Sequence, residues 1–404
     1  MAPKKNIRVP YGSTVHDQSE INSVIRVLKT STQMGRNVEN FEKKIAKLFN
    51  KKYGLMTNSG TSALYLAMET LPFKEGSEII TPSLTFGTTV ASLVKNNFIP
   101  VFVDVKLDTF CIDENAIESK ITKKTKAILA PDLLGNICNW DKIRKIAKKN
   151  NLMVLHDSAD ALGSKLNSKN VGFYSDLSIT SFYGSHIING AGNGGMVLTS
   201  DQKIYEKMKI LRSWGRSSSL LKNSESIEKR FDIKIDGMQY DKKFVFEELG
   251  YQLEPSEISA AFGLEQLKKL KTNINIRIRN FKSHIKFFQK FTDFLILPKQ
   301  NNLCRTAWLA FPLIVKENKF FNRTDLQIFL EKKNIQTRVI FTGNILRQPG
   351  FKKIKCVGKA NDFKISDQIM KNGILIGCHH GLKEKHLDHI YNSFDEFLGR
   401  KLKR

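Results

Sequence analysis

A chain of 404 residues that is 41% hydrophobic can bury a full core and predicts two domains, and its 65 lysines and arginines against 39 acids leave a formal net charge of +26. The five cysteines, Cys111, Cys138, Cys304, Cys356 and Cys378, are scattered without C-x-x-C spacing, which argues against a disulfide framework, a zinc site or a cysteine-ligated iron–sulfur cluster and fits a reducing cytosol. No run nears the roughly 20 apolar residues that span a bilayer, residues 1–10 lack a signal peptide's apolar core, and lysines spread in pairs such as Lys51-Lys52 and Lys148-Lys149 argue against a nucleic-acid binder.

From residue 55 to 200, short β-branched runs alternate with helical patterns; the runs include Glu78-Ile79-Ile80, Val101-Phe102-Val103, Ala127-Ile128-Leu129, Met153-Val154-Leu155-His156-Asp157, Ile179-Thr180-Ser181 and Met196-Val197-Leu198. That rhythm predicts an α/β fold with a mostly parallel sheet covered by helices on both faces. Ligands of such sheets bind beyond the carboxyl ends of the strands. Near the start, Asn58-Ser59-Gly60-Thr61-Ser62 opens a helical segment, where free backbone N–H groups, a hydroxyl and the helix dipole suit a phosphate; the same residue types also cap ordinary helices. Phe86 follows a predicted strand and reads either as core or as a ring that stacks on a flat heteroaromatic group.

Asp157 ends an apolar strand, a position that suits a cap, a metal or a protonated ring nitrogen, and Asp160 lies close enough to reach the same ligand. His156, inside that strand, reads as a core or supporting residue. Ser181 ends another strand and offers a hydroxyl to a phosphate or to a turn. His186 comes next, ahead of the glycine-rich residues 189–195; an imidazole with an ordinary pKa near 6.5 can take and return a proton close to neutral pH. Residues 217–243 are polar and weakly periodic, as expected of a lid or a subunit contact. A helical pattern from Pro255 passes Ile258, Phe262, Leu264, Leu267 and Leu270, which places a boundary near 270 between a large cofactor-binding domain, 1–270, and a smaller α/β domain, 271–404, with strands at 308–315 and 337–341. His379 and His380, before Gly381, read equally as lining of the site or as a turn.

Taken together, Ser181-Phe182-Tyr183-Gly184-Ser185-His186 with residues 189–195, the Ser59-Gly60-Thr61 turn, Pro82 to Phe86, Asp157 and Gly250-Tyr251-Gln252 resemble the DegT/DnrJ/EryC1/StrS family of sugar-nucleotide aminotransferases over nearly the whole chain. The resemblance implies a fold-type I pyridoxal phosphate enzyme, like aspartate aminotransferase, soluble and cytoplasmic, using pyridoxal 5'-phosphate or pyridoxamine 5'-phosphate. By that likeness Gly60, Thr61, Ser62 and Ser181 hold the phosphate, Phe86 stacks, Asp157 faces the ring nitrogen and Asp160 lies nearby. Gln252 replaces the asparagine that reaches the neighbouring subunit's phosphate, implying a homodimer with shared active sites. His186 stands where relatives carry the lysine that holds the cofactor covalently, a bond that imidazole cannot make.

Histidine at this position, with Arg212 to Arg216, Thr337-Arg338 and Gly343 to Pro349, is similar to the branch that removes the C3 hydroxyl of 4-keto-6-deoxy sugars. This likeness implies a non-covalently bound pyridoxamine phosphate, His186 as the proton carrier, and substrate contacts from Arg216, Asn344 and Arg347. One type in the branch carries an iron–sulfur cysteine cluster just after Trp-Gly-Arg; residues 217–223 have no cysteine, which favours the metal-free type with a GDP-linked substrate and L-glutamate as amino donor. Glu254 departs from the basic residue usual there. The alternatives are an aminotransferase using Lys165 or Lys169, and a catalytically silent sugar-nucleotide binder. Neither nucleic acid nor membrane is expected as a partner.

Overall fold

The computed structural model describes residues 7–221 and 226–402. Residues 1–6, and Lys222 and Asn223 of the cysteine-free stretch, lie outside the described residues. A seven-stranded sheet forms the centre, in the spatial order Tyr53–Thr57, Gly195–Thr199, Leu177–Ser181, Met153–Asp157, Thr125–Pro131, Glu78–Pro82, Ile99–Val103. Only Gly195–Thr199 runs against its neighbours, so the sheet is mostly parallel as expected.

Because side chains alternate across a strand, each strand feeds two cores. Ile79, Leu129, Leu155, Ile179 and Val197 pack with Leu64, Met68 and Met208 on one face. On the other, Ile80, Ile128 and Val154 meet Trp140 and Ile143, while Met196 and Leu198 meet Phe41 and Phe182. With both faces covered, polar side chains that must reach a ligand are left to the strand ends.

The chain leaves this domain through one helix of 32 residues, Glu257–Phe288, started by Ser256 accepting from the Ser259 N–H. Residue 270 falls inside it, and the smaller three-stranded antiparallel sheet, Leu295–Ile296, Ala310–Val315 and Gly373–Gly377, begins only after it ends. Val9 also joins the smaller core, bridging to Ile335. The strand expected at 337–341 is reduced to a single bridge between Arg338 and Leu375.

The excursion after residue 217 holds a short helix, Ile227–Arg230, and a hairpin of Lys234–Ile235 with Met238–Gln239. Asp236 and Gly237 at its tip have φ of 49° and 83°, the left-handed pair that a two-residue hairpin turn requires. Phe231, Met238, Tyr240, Phe244 and Phe246 are exposed on this segment, and Leu249 is 94% exposed.

Candidate active site

Sheet register assembles the first part of the site. Thr57 lies opposite Gly195, and Gly195 opposite Ser181; on the next strand Asp157 is opposite Ile179, two residues before Ser181. Two glycines let the turn after Thr57 lie flat on these strand ends. A Cβ at Gly60 would sit 2.8 Å from Ser181 Cβ and 2.9 Å from its Oγ, and one at Gly195 would sit 2.3 Å from the Ser59 carbonyl oxygen. The helix Gly60–Glu69 therefore starts against Ser181, with its N-terminal dipole at the strand ends.

Donors at this turn divide into used and unused. Ser62 is consumed by the cap: its N–H donates to Ser59 Oγ at 3.0 Å and its hydroxyl to Asn58 Oδ1 at 2.6 Å. Ser62 thus serves the helix cap in this structure. The Gly60 and Thr61 N–H groups have no partner among the described residues, and Ser181 Oγ accepts only the Tyr183 N–H, at 3.3 Å, keeping its own proton to donate.

Asp157 is buried, with no cation in ion-pair reach among the described residues. The Thr89 hydroxyl donates to its Oδ2 at 2.8 Å and the Ala159 N–H to its Oδ1 at 3.2 Å, yet burial pushes its carboxyl above the ordinary range. A buried carboxylate in that state gains most from a protonated nitrogen. Nearby, the buried Ser158 and Thr85 hydroxyls also lack partners. His156 is spoken for: its Nε2 meets Asp132 Oδ2 at 2.8 Å, and Asp132 also accepts from Trp140 Nε1 and the Cys138 N–H, both at 2.9 Å. Phe86, just before the helix Gly87–Lys95, is 54% exposed and edge-on to Phe341 at 6.0 Å, so its ring is not core. These residues fit a phosphate-bearing aromatic cation. Among the described residues, no group of three or more His, Cys, Asp or Glu side chains is placed to hold a metal.

His186 faces the same space. Its Nδ1 lies 3.2 Å from the Ser181 carbonyl oxygen, which can only accept, so the ring proton belongs on Nδ1 and the lone pair on Nε2. That Nε2 is 3.6 Å from Asp160 Oδ1. Burial lowers the imidazole pKa to about 4, against the help of the Ser181 carbonyl, so the ring is neutral and ready to accept a proton. Burial, and then the charge of Asp157, push Asp160 up to about 7, against the Leu134 N–H that donates to it at 3.0 Å.

Arg277, absent from the expected set, fixes this arrangement. Fully buried on the helix Glu257–Phe288, it donates to the carbonyls of Ser185 at 3.2 Å, His186 at 3.3 Å, Trp308 at 3.2 Å and Leu309 at 3.0 Å, and to His380 Nδ1 at 3.2 Å. Its one signal in the sequence is a cation on the helical face shared with Ile274 and Phe281. Thr89, the partner of Asp157, was likewise hidden among ordinary helix-start residues.

Four further expected residues sit on other segments of the chain. Gln252 is exposed on a segment bridged to Ser213, next to Leu253, whose carbonyl accepts the Asn58 N–H. Arg216 stacks on Trp214 at 4.2 Å and donates to the Lys243 carbonyl at 3.5 Å. Asn344 is fully buried; its amide donates to the Ala360 carbonyl and to Asp367 Oδ1, both at 2.8 Å, and its oxygen accepts the Leu346 N–H. Arg347 grips the same Asp367 with two nitrogens. Asn344 and Arg347 are thus joined through Asp367. His379 and His380 are buried, the first donating to the Pro10 carbonyl at 3.1 Å and the second accepting from Arg277.

Asp160 makes stability depend on pH in a testable direction. Its folded pKa is raised, so its contribution is full below the unfolded value of 3.8 and is lost as pH rises through about 7. An Asp160→Asn variant without cofactor is expected to gain on the parent by on the order of 3 kcal/mol between pH 4 and 8. Urea midpoints at the two pH values check this; a constant difference would refute it.

Comparison with known proteins follows the same outline. The DegT/DnrJ/EryC1/StrS aminotransferase family matches residues 15–395. The lipopolysaccharide biosynthesis protein RfbH of Salmonella typhimurium is 36% identical over 378 residues, covering 90% of this chain and 86% of that protein. The GDP-4-keto-6-deoxy-D-mannose 3-dehydratase of Yersinia pseudotuberculosis is 32% identical over 394 residues, 96% of this chain and 98% of the enzyme. A crystal structure of GDP-4-keto-6-deoxymannose-3-dehydratase with a trapped PLP–glutamate geminal diamine superposes with a TM-score of 0.85 at 29% identity, covering 95% of this chain and 99% of the other.

Proposed function

Because this chain belongs to the DegT/DnrJ/EryC1/StrS aminotransferase family yet carries His186 in place of the anchoring lysine, we propose that it is a 3-dehydratase of a nucleotide-linked 4-keto-6-deoxyhexose. It is a pyridoxal phosphate-dependent enzyme acting on sugar nucleotides. The observation that carries the finer reading is the imidazole itself: neutral, its Nδ1 proton pinned by Ser181, and its Nε2 lone pair beside Asp160.

The residues divide the work. Gly60 and Thr61 N–H groups and the Ser181 hydroxyl would take the cofactor phosphate, Asp157 the ring nitrogen and Phe86 a ring face. In its pyridoxamine form the bound cofactor supplies an amine for the sugar ketone and a ring that withdraws electrons. His186 Nε2 would take and return the proton that the chemistry moves, and Asp160, raised to about 7, keeps a polar partner beside the ring whichever form it takes. Arg277 holds the backbone of the loop so that Nε2 stays in place.

A GDP-linked substrate and glutamate as amino donor are supported by the names of the similar enzymes. A homodimer is supported by the exposed apolar side chains between Phe231 and Leu249. No helix among the described residues is long and apolar enough to cross a membrane. Amino transfer through Lys165 or Lys169 is disfavoured: both sit on a short hairpin, Lys165 paired with Arg305 as well, and Lys169 lies over Phe173 at 4.3 Å.

Purified protein supplied with pyridoxal phosphate, glutamate and either GDP- or CDP-4-keto-6-deoxy sugar is expected to release the C3 oxygen, seen as a mass loss in the GDP sugar. After borohydride and denaturation the cofactor should wash away. A 4-amino sugar with its C3 oxygen intact, or cofactor fixed to the chain, would overturn the dehydratase reading.

A further inference from the structure

The donors around His186 differ in how free they are. Arg277 is spent on five acceptors, and the Nδ1 proton of His186 itself is held by the Ser181 carbonyl. Asp160 is pushed up to about 7, so it carries a proton to donate only below neutrality. Tyr11 differs. Its ring is half-buried, yet its hydroxyl has no hydrogen-bond partner among the described residues.

Three contacts fix where this phenol stands. The Tyr11 N–H donates to Gln336 Oε1 at 3.0 Å, the Pro10 carbonyl accepts from His379 Nε2 at 3.1 Å, and a Cβ at Gly12 would sit 2.8 Å from Ser185 Cβ, next to His186. Residues 10–12 are thereby clasped between the smaller domain and the His186 loop. The ring packs against the core that holds Leu134, whose N–H donates to Asp160 Oδ2 at 3.0 Å, and the Arg338 guanidinium lies 5.7 Å from the ring centre. Burial and then the charge of Asp160 push the phenol up, against the pull of Arg338 and Arg277, so the hydroxyl keeps its proton across the range in which Asp160 titrates.

We propose that the Tyr11 hydroxyl is the donor that meets the C3 oxygen of the sugar as it departs. This assignment rests on the dehydratase reading. Under that reading His186 Nε2 begins as an acceptor while Nδ1 is pinned to the Ser181 carbonyl, so the imidazole has no proton to offer the leaving oxygen at the outset. The oxygen leaves with the electron pair of the C3–O bond and combines with the proton that His186 has taken, which releases water and restores the neutral ring. Tyr11 supplies a hydrogen bond to the negative charge while it builds and gives up no proton of its own.

Tyr11→Phe keeps the ring and removes only the hydroxyl. With cofactor and glutamate present, parent and variant are compared on the GDP-linked 4-keto-6-deoxy sugar and on its 3-fluoro analogue, whose leaving group is a far weaker base than hydroxide. The variant is expected to lose about 10–100-fold in rate at saturating 3-hydroxy sugar, the worth of one hydrogen bond to a developing charge, and little on the fluoro sugar. A binding arm needs no turnover: protein loaded with pyridoxal phosphate and given no glutamate has no amine for the ketone. Calorimetry with the 3-hydroxy sugar nucleotide and its 3-deoxy counterpart should show the parent preferring the hydroxyl and Tyr11→Phe binding both alike. A parent-like rate on the 3-hydroxy sugar, an equal loss on both sugars, or a preference for the C3 hydroxyl that survives Tyr11→Phe overturns the proposal. A parent that aminates the sugar and keeps its C3 substituent refutes the dehydratase reading and this assignment together, whereas a dehydrating parent beside an unimpaired variant refutes the role of Tyr11 alone.

Discussion

A His186→Asn variant is expected to fold, take up pyridoxal phosphate and lose C3 deoxygenation by about 10²–10⁴-fold, the span that a positioned general base contributes. Asparagine is smaller than histidine but still polar, and its amide can donate to the Ser181 carbonyl as Nδ1 does now. It has no basic lone pair to turn toward Asp160, so the loss should fall on the rate at saturation. Oxygen release measured by mass spectrometry at saturating sugar and cofactor decides it, and a rate within tenfold of the parent would remove the imidazole from the chemistry. The pH profile carries a second mark. With His186 held near 4, its protonation cannot shape the curve around neutrality; a limb near 7 belongs to Asp160 and should vanish in Asp160→Asn.

Arg277→Met is expected to cost about 3–5 kcal/mol, because several buried acceptors lose their donor together. Four carbonyls and one imidazole lose their donor, and two of the carbonyls belong to Ser185 and His186. Chemical denaturation of the cofactor-free protein measures the loss. Arg277→Lys should fall between, because one ammonium cannot reach acceptors spread over three segments. An unchanged unfolding midpoint in Arg277→Met would show that the network is not what holds the loop.

The sheet is legible in the sequence because strands buried on both faces must be written as nearly unbroken apolar runs, and their ends are marked where Asp157 and Ser181 interrupt them. Features that depend on distant partners are not. The spacing of Ile258, Phe262 and Leu270 is helical, and so is that of the residues beyond, so nothing at 270 could reveal that one helix runs on to Phe288. That Asn344 and Arg347 share Asp367, twenty residues after Arg347, is seen only in the fold. Ser62 has the right chemistry for an anion, yet its N–H and hydroxyl are already spent on Ser59 and Asn58. Arg277 reads as one more cation in a chain that carries 65 of them; only the helix's burial reveals it.

The close seating of Gly60 on Ser181, and of Gly195 on Ser59, bears on how long the coenzyme stays aboard. Where a lysine tethers it, residence is covalent and the phosphate grip needs only to orient. Here the side chain at 186 offers no tether, so dwell time rests on that grip and its neighbours, and occupancy follows the supply in the surrounding solution. On the dehydratase reading the enzyme would borrow its coenzyme from a shared pool, and glycine at these two positions would set the terms of exchange.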